Sequence, residues 1–332
     1  MGAAVTRTSL GLGCAALGNL YRAVTDEVAA ATVEAAWTAG IRYFDTAPHY
    51  GLGLSEQRLG RALRGRPRDF YTVSTKVGRL LVPDPAGAGR PDPEGFVVPA
   101  THRRVRDFSR DGVRRSLDQS LERLGLDRVD LVLLHDPEGH DRAALDEAYP
   151  ALAQLRAAGV VGTIGVGSKD PGILQRFVTQ TDVDTILLAG RYTLLEQPAL
   201  DELLPACLDR NVQVINAGVF NSGLLAVADP HEGLPYEYGP ASDGVLRRAR
   251  ALAGICTRHG SSLPAAALAF AGGHPAVACV LLGAQTPEEL IRNVALFRCP
   301  PPAALWADTV AAGLVRADAP LPSADHEGAP AC

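Results

Sequence analysis

The chain has 332 residues, 47% hydrophobic, with a formal net charge of -5, so it can bury a large core without staples. The acidic balance argues against nucleic acid as the main partner, which would call for a basic face, and the arginines at 61, 64, 66 and 68 are followed by Asp69 as on a solvated helix end. No membrane partner is expected, because the longest apolar stretch, Leu263–Leu282, is broken by Gly272, Gly273, His274 and Pro275.

The six cysteines show no CxxC pair and no grouping with histidine, so no metal site is expected. They read as isolated thiols of a reducing compartment. The opening MGAAVTRTSLGLGC lacks the charged segment and apolar core of a secretory signal, and the expected location is cytoplasmic.

In chain order, Leu10–Gly13 is a short apolar strand, and Thr25–Ala39 has helical spacing with Thr25 and Asp26 as start signals and Gly40 as stop. Ile41–Phe44 is a second strand, followed by a helix over Ser55–Arg64. Phe70–Thr75 is a third strand, ending in Lys76. The stretch Val77–Phe108, with five prolines and no period, predicts a functional loop, a lid or local disorder. Helix Ser109–Leu124 and the apolar strand Val129–Leu134 follow, the latter ending at His135. Then come helix Ala143–Ala158, strand Val160–Val166, helix Gly172–Gln180, strand Thr185–Leu188, helix Pro198–Arg210 and strand Val212–Ile215. A second long loop, Asn216–Ser242, precedes helices Val245–His259 and Leu263–Ala271, strand Ala278–Leu282 and helix Pro287–Phe297.

Eight short apolar strands, each followed by a helix and with no linker composition between them, predict a parallel sheet covered by helices. Eight units over about 290 residues fit a single-domain (β/α)8 TIM barrel better than an open doubly wound sheet. The open sheet calls for a glycine-rich phosphate loop after the first strand. The segment from Gly11 to Gly18 has its last glycine two places late. The expected barrel spans 7–298, followed by a C-terminal tail over 299–332 that is partly helical or disordered.

Such barrels carry their active sites at the C-terminal strand ends. Those ends are Asp45 with Tyr50 in its loop, then Lys76, then His135. Taken singly, Asp45 reads equally as a cap, Lys76 as a strand-end charge and His135 as a core histidine; convergence on neighbouring strands favours chemistry. A lysine ammonium favours the phenolate of a tyrosine, and a carboxylate holds the lysine in place and charged. An imidazole beside the phenol can orient a substrate oxygen or relay a proton. The set suits proton transfer at a carbonyl or alcohol oxygen, half of a hydride-transfer reaction that a nicotinamide completes.

The stretch GIRYFDTAPHYGLGLSEQRLG (40–60) resembles the signature of the aldo-keto reductases, NAD(P)-dependent oxidoreductases built on a (β/α)8 barrel. The resemblance continues through STK at 74–76, LDRVDLVLLHDPE at 126–138, GVVGTIGVGS at 159–168 and GAQTPEELIRNV at 283–294. It implies Tyr50 as general acid/base, Lys76 and Asp45 as its tuning pair, and His135 as the residue orienting the substrate oxygen. Within the family the chain is most similar to the branch holding D-threo-aldose (L-fucose) 1-dehydrogenases, L-galactose dehydrogenases and pyridoxal 4-dehydrogenases. That likeness rests on stretches 108–138, 216–225 and 258–285.

The resemblance also implies cofactor contacts from Ser168, Gly283, Gln285, Glu289 and Asn293. Here Gly167 and Ser168 stand where many members have Ser-Asn, and Ala217 stands where an aromatic residue commonly stacks on the nicotinamide. Glu289 occupies a place where NADP-specific relatives carry arginine; a carboxylate there repels a 2′-phosphate, so NAD is the preferred cofactor over NADP. The expected reaction is oxidation of an aldose at C1 to its lactone, with His49, Asp136, Asn19 and Asn221 as candidate sugar contacts. His49 reads equally as a brace for Tyr50, and Asp136 as a helix cap. Alternatives are a reductase of other aldehydes or ketones, a pyridoxal 4-dehydrogenase, or a cofactor-binding regulatory subunit without turnover.

Overall fold

The computed structural model describes residues 10–322 other than 238; the start of the expected barrel span and the last ten residues of the expected tail lie outside the described residues. Twelve strands are described: β1 (Leu10–Gly13), β2 (Tyr43–Asp45), β3 (Thr72–Val77), β4 (Arg79–Pro83), β5 (His102–Arg106), β6 (Leu131–His135), β7 (Thr163–Ser168), β8 (Thr185–Ala189), β9 (Gln213–Ala217), β10 (Pro235–Tyr236), β11 (Gly239–Pro240) and β12 (Val277–Gly283). Eight of them close a parallel barrel in the order β1-β12-β9-β8-β7-β6-β3-β2, the (β/α)8 architecture that the alternation of strands and helices implied.

Side chains two apart on a strand share a face, and this parity places the chemistry. Leu131 and Leu133 fill the barrel interior together with Tyr43, Leu187, Ile215, Cys279 and Leu281. Val132 and Leu134 face the helical layer. His135 continues the inward row of β6, and Asp45 follows Tyr43 on the inward row of β2. Lys76, two residues past Ser74, is inward on β3, where Asp45 pairs in register with Ser74. Several strands run further toward their C-terminal ends than the apolar runs suggested, so Asp45, His135 and Ser168 are the last residues of β2, β6 and β7.

The stretch 77–108 is neither featureless nor disordered. β4 and β5 pair as an antiparallel ribbon from Arg79 opposite Arg106 to Pro83 opposite His102. Its sequence hid the pairing because the arms are joined by a long connection and not by a short turn with a hairpin signature. The stretch 216–242 carries the two-residue pair β10 and β11. This segment is tied down by Tyr236 donating to Glu196, and by Arg191 and Lys169 reaching Glu237 at 2.9 and 3.0 Å.

A helix over Ala303–Ala311 buries Leu305 and Trp306, the latter 6.3 Å from the Phe270 ring. Cys14, Cys207, Cys256 and Cys279 are buried free thiols. Cys299 is disulfide-bonded, which departs from the expectation of isolated thiols throughout. Among the described residues no helix is long and apolar enough to cross a membrane, and no group of histidine, cysteine or carboxylate side chains could hold a metal ion.

Candidate active site

The strand residues Asp45, Lys76 and His135 meet Tyr50, from the loop after β2, at the barrel mouth. Lys76 Nζ donates to Asp45 Oδ2 at 2.6 Å, to the Thr46 carbonyl at 3.0 Å and to the Tyr50 hydroxyl at 3.2 Å. The His135 ring stands edge-on to Tyr50 with centroids 5.9 Å apart. Asp45 is held from its other oxygen by Ser74 Oγ at 2.7 Å. Since the serine proton goes to that carboxylate, Tyr43, 2.7 Å from Ser74 Oγ, must donate to the serine. Tyr43 and Ser74 escaped the sequence reading because hydroxyls inside apolar strands look like ordinary core residues; their parity with Asp45 and Lys76 was the available signal.

Tyr50 is held at its backbone as well. Gly18 and Gly51 touch so closely that a Cβ on Gly18 would stand 2.6 Å from the Tyr50 carbonyl carbon. Gly51 itself has φ +62°, a conformation that glycine adopts without steric cost. Gly18 is therefore a point of contact between the first strand's loop and the loop of Tyr50, beyond the turn that the sequence suggested.

Electrostatics refine the roles. Burial pushes the Tyr50 phenol up to about 12, with Lys76 pulling against it. The lysine thus favours the phenolate, as expected, yet desolvation wins. Burial also pulls the Lys76 ammonium down, but Asp45 and Tyr50 together outweigh it, and its pKa stands above that of an ordinary lysine. His135 is held well below the usual histidine range by burial, then by Arg79 and Lys76, and is neutral at physiological pH.

The ribbon supplies the wall beside this group. Phe96, from the connection between β4 and β5, packs against His49 and Tyr50 at 5.2 and 6.1 Å between centroids. Arg104 pairs with buried Asp92 and donates to the His49 carbonyl at 2.9 Å. Arg79 Nη1 lies 3.3 Å from His49 Nδ1, while its Nη2 donates to Asp136. Asp136 Oδ2 is 3.6 Å from His135 Nε2. His49 is lowered to about 2 by burial and then by Arg79 and Arg104. Arg79, Phe96 and Arg104 lie in the stretch whose fold was not legible, so no sequence signal marked them.

The remaining expected residues divide. Asn19 is not free to meet a sugar: its Oδ1 accepts from Arg58 at 2.7 Å and Val24 N at 3.1 Å, and its Nδ2 donates to the Val97 carbonyl. It is a loop anchor. Asn221 differs, since both of its amide atoms are buried without a partner among the described residues. It sits at φ +46° beside Ser222 and Gly223, which are also left-handed. Ser168 Oγ donates to Glu138 and accepts from Asp170 N at 2.8 Å. Gly283 ends β12 with open space where a Cβ would stand. The helix Pro287–Arg298 begins at Thr286, whose hydroxyl accepts from Glu289 N at 3.3 Å. Glu289 Oε2 accepts from Gln285 N at 2.8 Å and Oε1 lies 3.6 Å from Arg22 Nη2. Gln285 Nε2 donates to the Leu20 carbonyl at 2.7 Å, and Asn293, one turn beyond Glu289, is buried.

A profile of the Aldo/keto reductase family matches residues 9–309. The chain is 50% identical to D-threo-aldose 1-dehydrogenase from a Pseudomonas species over 310 residues, covering 92% of this chain and 94% of that protein. It is 38% identical to pyridoxal 4-dehydrogenase from Microbacterium luteolum, covering 94% and 95%. Among solved structures, an aldo-keto reductase from Bacillus halodurans in its holo form superposes with a TM-score of 0.74 at 26% identity, covering 93% of this chain and 92% of that one.

Proposed function

The chain belongs to the aldo/keto reductase family and is an oxidoreductase of that kind, and from this premise we propose that it oxidises an aldose at C1 to the lactone with NAD. The observation that carries the chemistry is Lys76 Nζ standing between Asp45 Oδ2 and the Tyr50 hydroxyl at the barrel mouth. The 50% identity to a D-threo-aldose 1-dehydrogenase over nearly its whole length supports the substrate class.

The residues present fit a dinucleotide: open space at Gly283, the orphaned amide of Asn221, and the Thr286-capped helix start with Glu289 and Asn293. Ser168, Gly283, Gln285, Glu289 and Asn293 would hold it, and a bound nicotinamide would supply the hydride acceptor. The Glu289 carboxylate at that corner would repel a 2′-phosphate, which supports NAD over NADP.

Tyr50 takes the C1 hydroxyl proton as the C1–H bond is broken, and returns it in the reverse direction. Lys76 stabilises the phenolate form of Tyr50 that accepts this proton, and Asp45, braced by Ser74, keeps the lysine in place. Neutral His135 hydrogen-bonds the substrate oxygen and orients it toward Tyr50.

A second reading, oxidation of pyridoxal, draws on the 38% identity to a pyridoxal 4-dehydrogenase. Absorbance at the NADH band, followed with a panel of aldoses, pyridoxal and simple aldehydes and with both cofactors, tests the proposal. Turnover of aldoses with NAD is expected; turnover of pyridoxal alone would replace the aldose reading.

A further inference from the structure

Arg79 is the first residue of β4, three past Lys76, and its side chain reaches His49 and Asp136. An arginine guanidinium can donate hydrogen bonds and cannot accept them. Its contact with His49 at 3.3 Å therefore fixes Nδ1 of that ring as the acceptor. The neutral ring then carries its proton on Nε2, and that edge becomes a hydrogen-bond donor. The other arm of the guanidinium takes Asp136, whose Oδ2 would otherwise face His135 Nε2 at 3.6 Å without compensation. Asp136 sits at φ +44°, with its carbonyl accepting from Arg106 at 2.6 Å, so its carboxylate has little freedom to turn away.

We propose that Arg79 is the positioning residue that fixes His49 as an Nε2–H donor and neutralises Asp136 beside His135, so that two uncharged imidazole edges meet a hydroxylated substrate next to Tyr50. The substrate group that such a donor recognises is a hydroxyl on the carbon adjacent to the reacting one. This deepens the aldose reading and rests on it for the identity of that hydroxyl.

The charged and titratable groups around the two rings are Tyr50, Lys76, Arg79, Arg104, Arg106 and Asp136, with Asp45 behind Lys76, Asp92 paired to Arg104 and Glu138 acting on Asp136. Arg79 follows burial as the largest influence holding both histidines neutral. Removing it takes away the largest charge influence that keeps His135 neutral and leaves Asp136 to attract a proton onto that ring, so its ionisation moves up.

The test compares Arg79→Met and Arg79→Lys with the unaltered enzyme, reading kcat/KM against pH on an aldose, its 2-deoxy counterpart and a simple aldehyde, with NADH binding measured by fluorescence. Arg79→Met is expected to bind NADH within about twofold of the unaltered enzyme and to lose about 10- to 100-fold in kcat/KM on the aldose. The loss is smaller on the 2-deoxy sugar, and an acid limb that the unaltered enzyme does not show enters as pH is lowered. Arg79→Lys restores the charge and removes that limb. An unchanged profile together with equal losses on all three substrates overturns the proposal. If the unaltered enzyme turns over no aldose, the substrate reading fails by itself, and the acid limb on the aldehyde still decides the role of Arg79. Should Arg79→Met not fold, nitrogen-15 spectra of the histidine rings in the unaltered protein at pH 6 decide: Nε2–H on His49 and a neutral His135 are expected. Nδ1–H on His49 or an imidazolium at either position overturns the assignment.

Discussion

Asp45 and Lys76 form a 2.6 Å ion pair in which neither side chain is more than 2% exposed. Removing one partner of such a pair leaves the other charge buried and uncompensated, which costs about 3–5 kcal/mol. Lys76→Met is expected to lower the unfolding midpoint in a denaturant titration accordingly and to abolish turnover. A stable Lys76→Met enzyme with normal kcat would remove Lys76 from the reaction.

Tyr50→Phe keeps the ring that packs on Phe96 and removes only the hydroxyl. Turnover is expected to fall by about 10²–10⁴ while NADH fluorescence titrations return an unchanged Kd. Because the phenol sits at about 12 in the free protein, its phenolate fraction grows with pH throughout the working range. In the oxidative direction kcat/KM should therefore climb without a plateau between about pH 7 and 10. A flat profile over that interval would point to another base.

Gly18→Ala places a methyl group against the Tyr50 carbonyl carbon. Overpacking of this kind costs about 1–3 kcal/mol, and the shift is passed to the loop that carries the phenol. Both Tm and kcat should drop. Gly89→Ala, where the added carbon meets nothing within 4 Å, serves as the control and should change neither.

Glu289→Arg replaces a carboxylate that holds Gln285 N and faces Arg22. The variant brings two guanidinium groups to that corner, a site suited to a phosphate dianion. The ratio of kcat/KM for NADP to that for NAD should rise by about tenfold or more. No change in the ratio would place the 2′ position elsewhere.

Acid should destabilise the fold through its buried histidines. Burial lowers His274 to about 4, and His49 is lowered to about 2. Their folded pKa values lie below the unfolded value near 6.5, so the unfolded chain binds more protons below that pH. Their contribution is complete above about pH 6.5 and declines as pH falls toward the folded values. Tm should hold between about pH 7.5 and 6.5 and fall between about pH 6.5 and 5. His274→Gln should flatten that slope, and an equal slope in the variant would exclude His274 as a contributor.

The barrel was legible because its determinants are local. Apolar runs of strand length alternate with helical periods, and Asp45, Lys76 and His135 each stop an apolar run at the mouth end of its strand. Strand parity then fixes their direction, since Leu131, Leu133 and His135 share one inward row. Tertiary structure alone decided what surrounds them. The ribbon of β4 and β5 pairs residues from Arg79 opposite Arg106 to Pro83 opposite His102, about 20 or more positions apart, and nothing in a proline-rich stretch without a period announces that pairing. Arg79, Phe96 and Arg104 reach the site only through it. Asn19 looked available in sequence, and its amide is consumed by Arg58 and Val24 from other parts of the chain. Even the tuning of Tyr50 was half visible: Lys76 acts in the expected direction, but the balance is set by desolvation, which depends on every group packed around the hydroxyl and belongs to no single residue of the sequence.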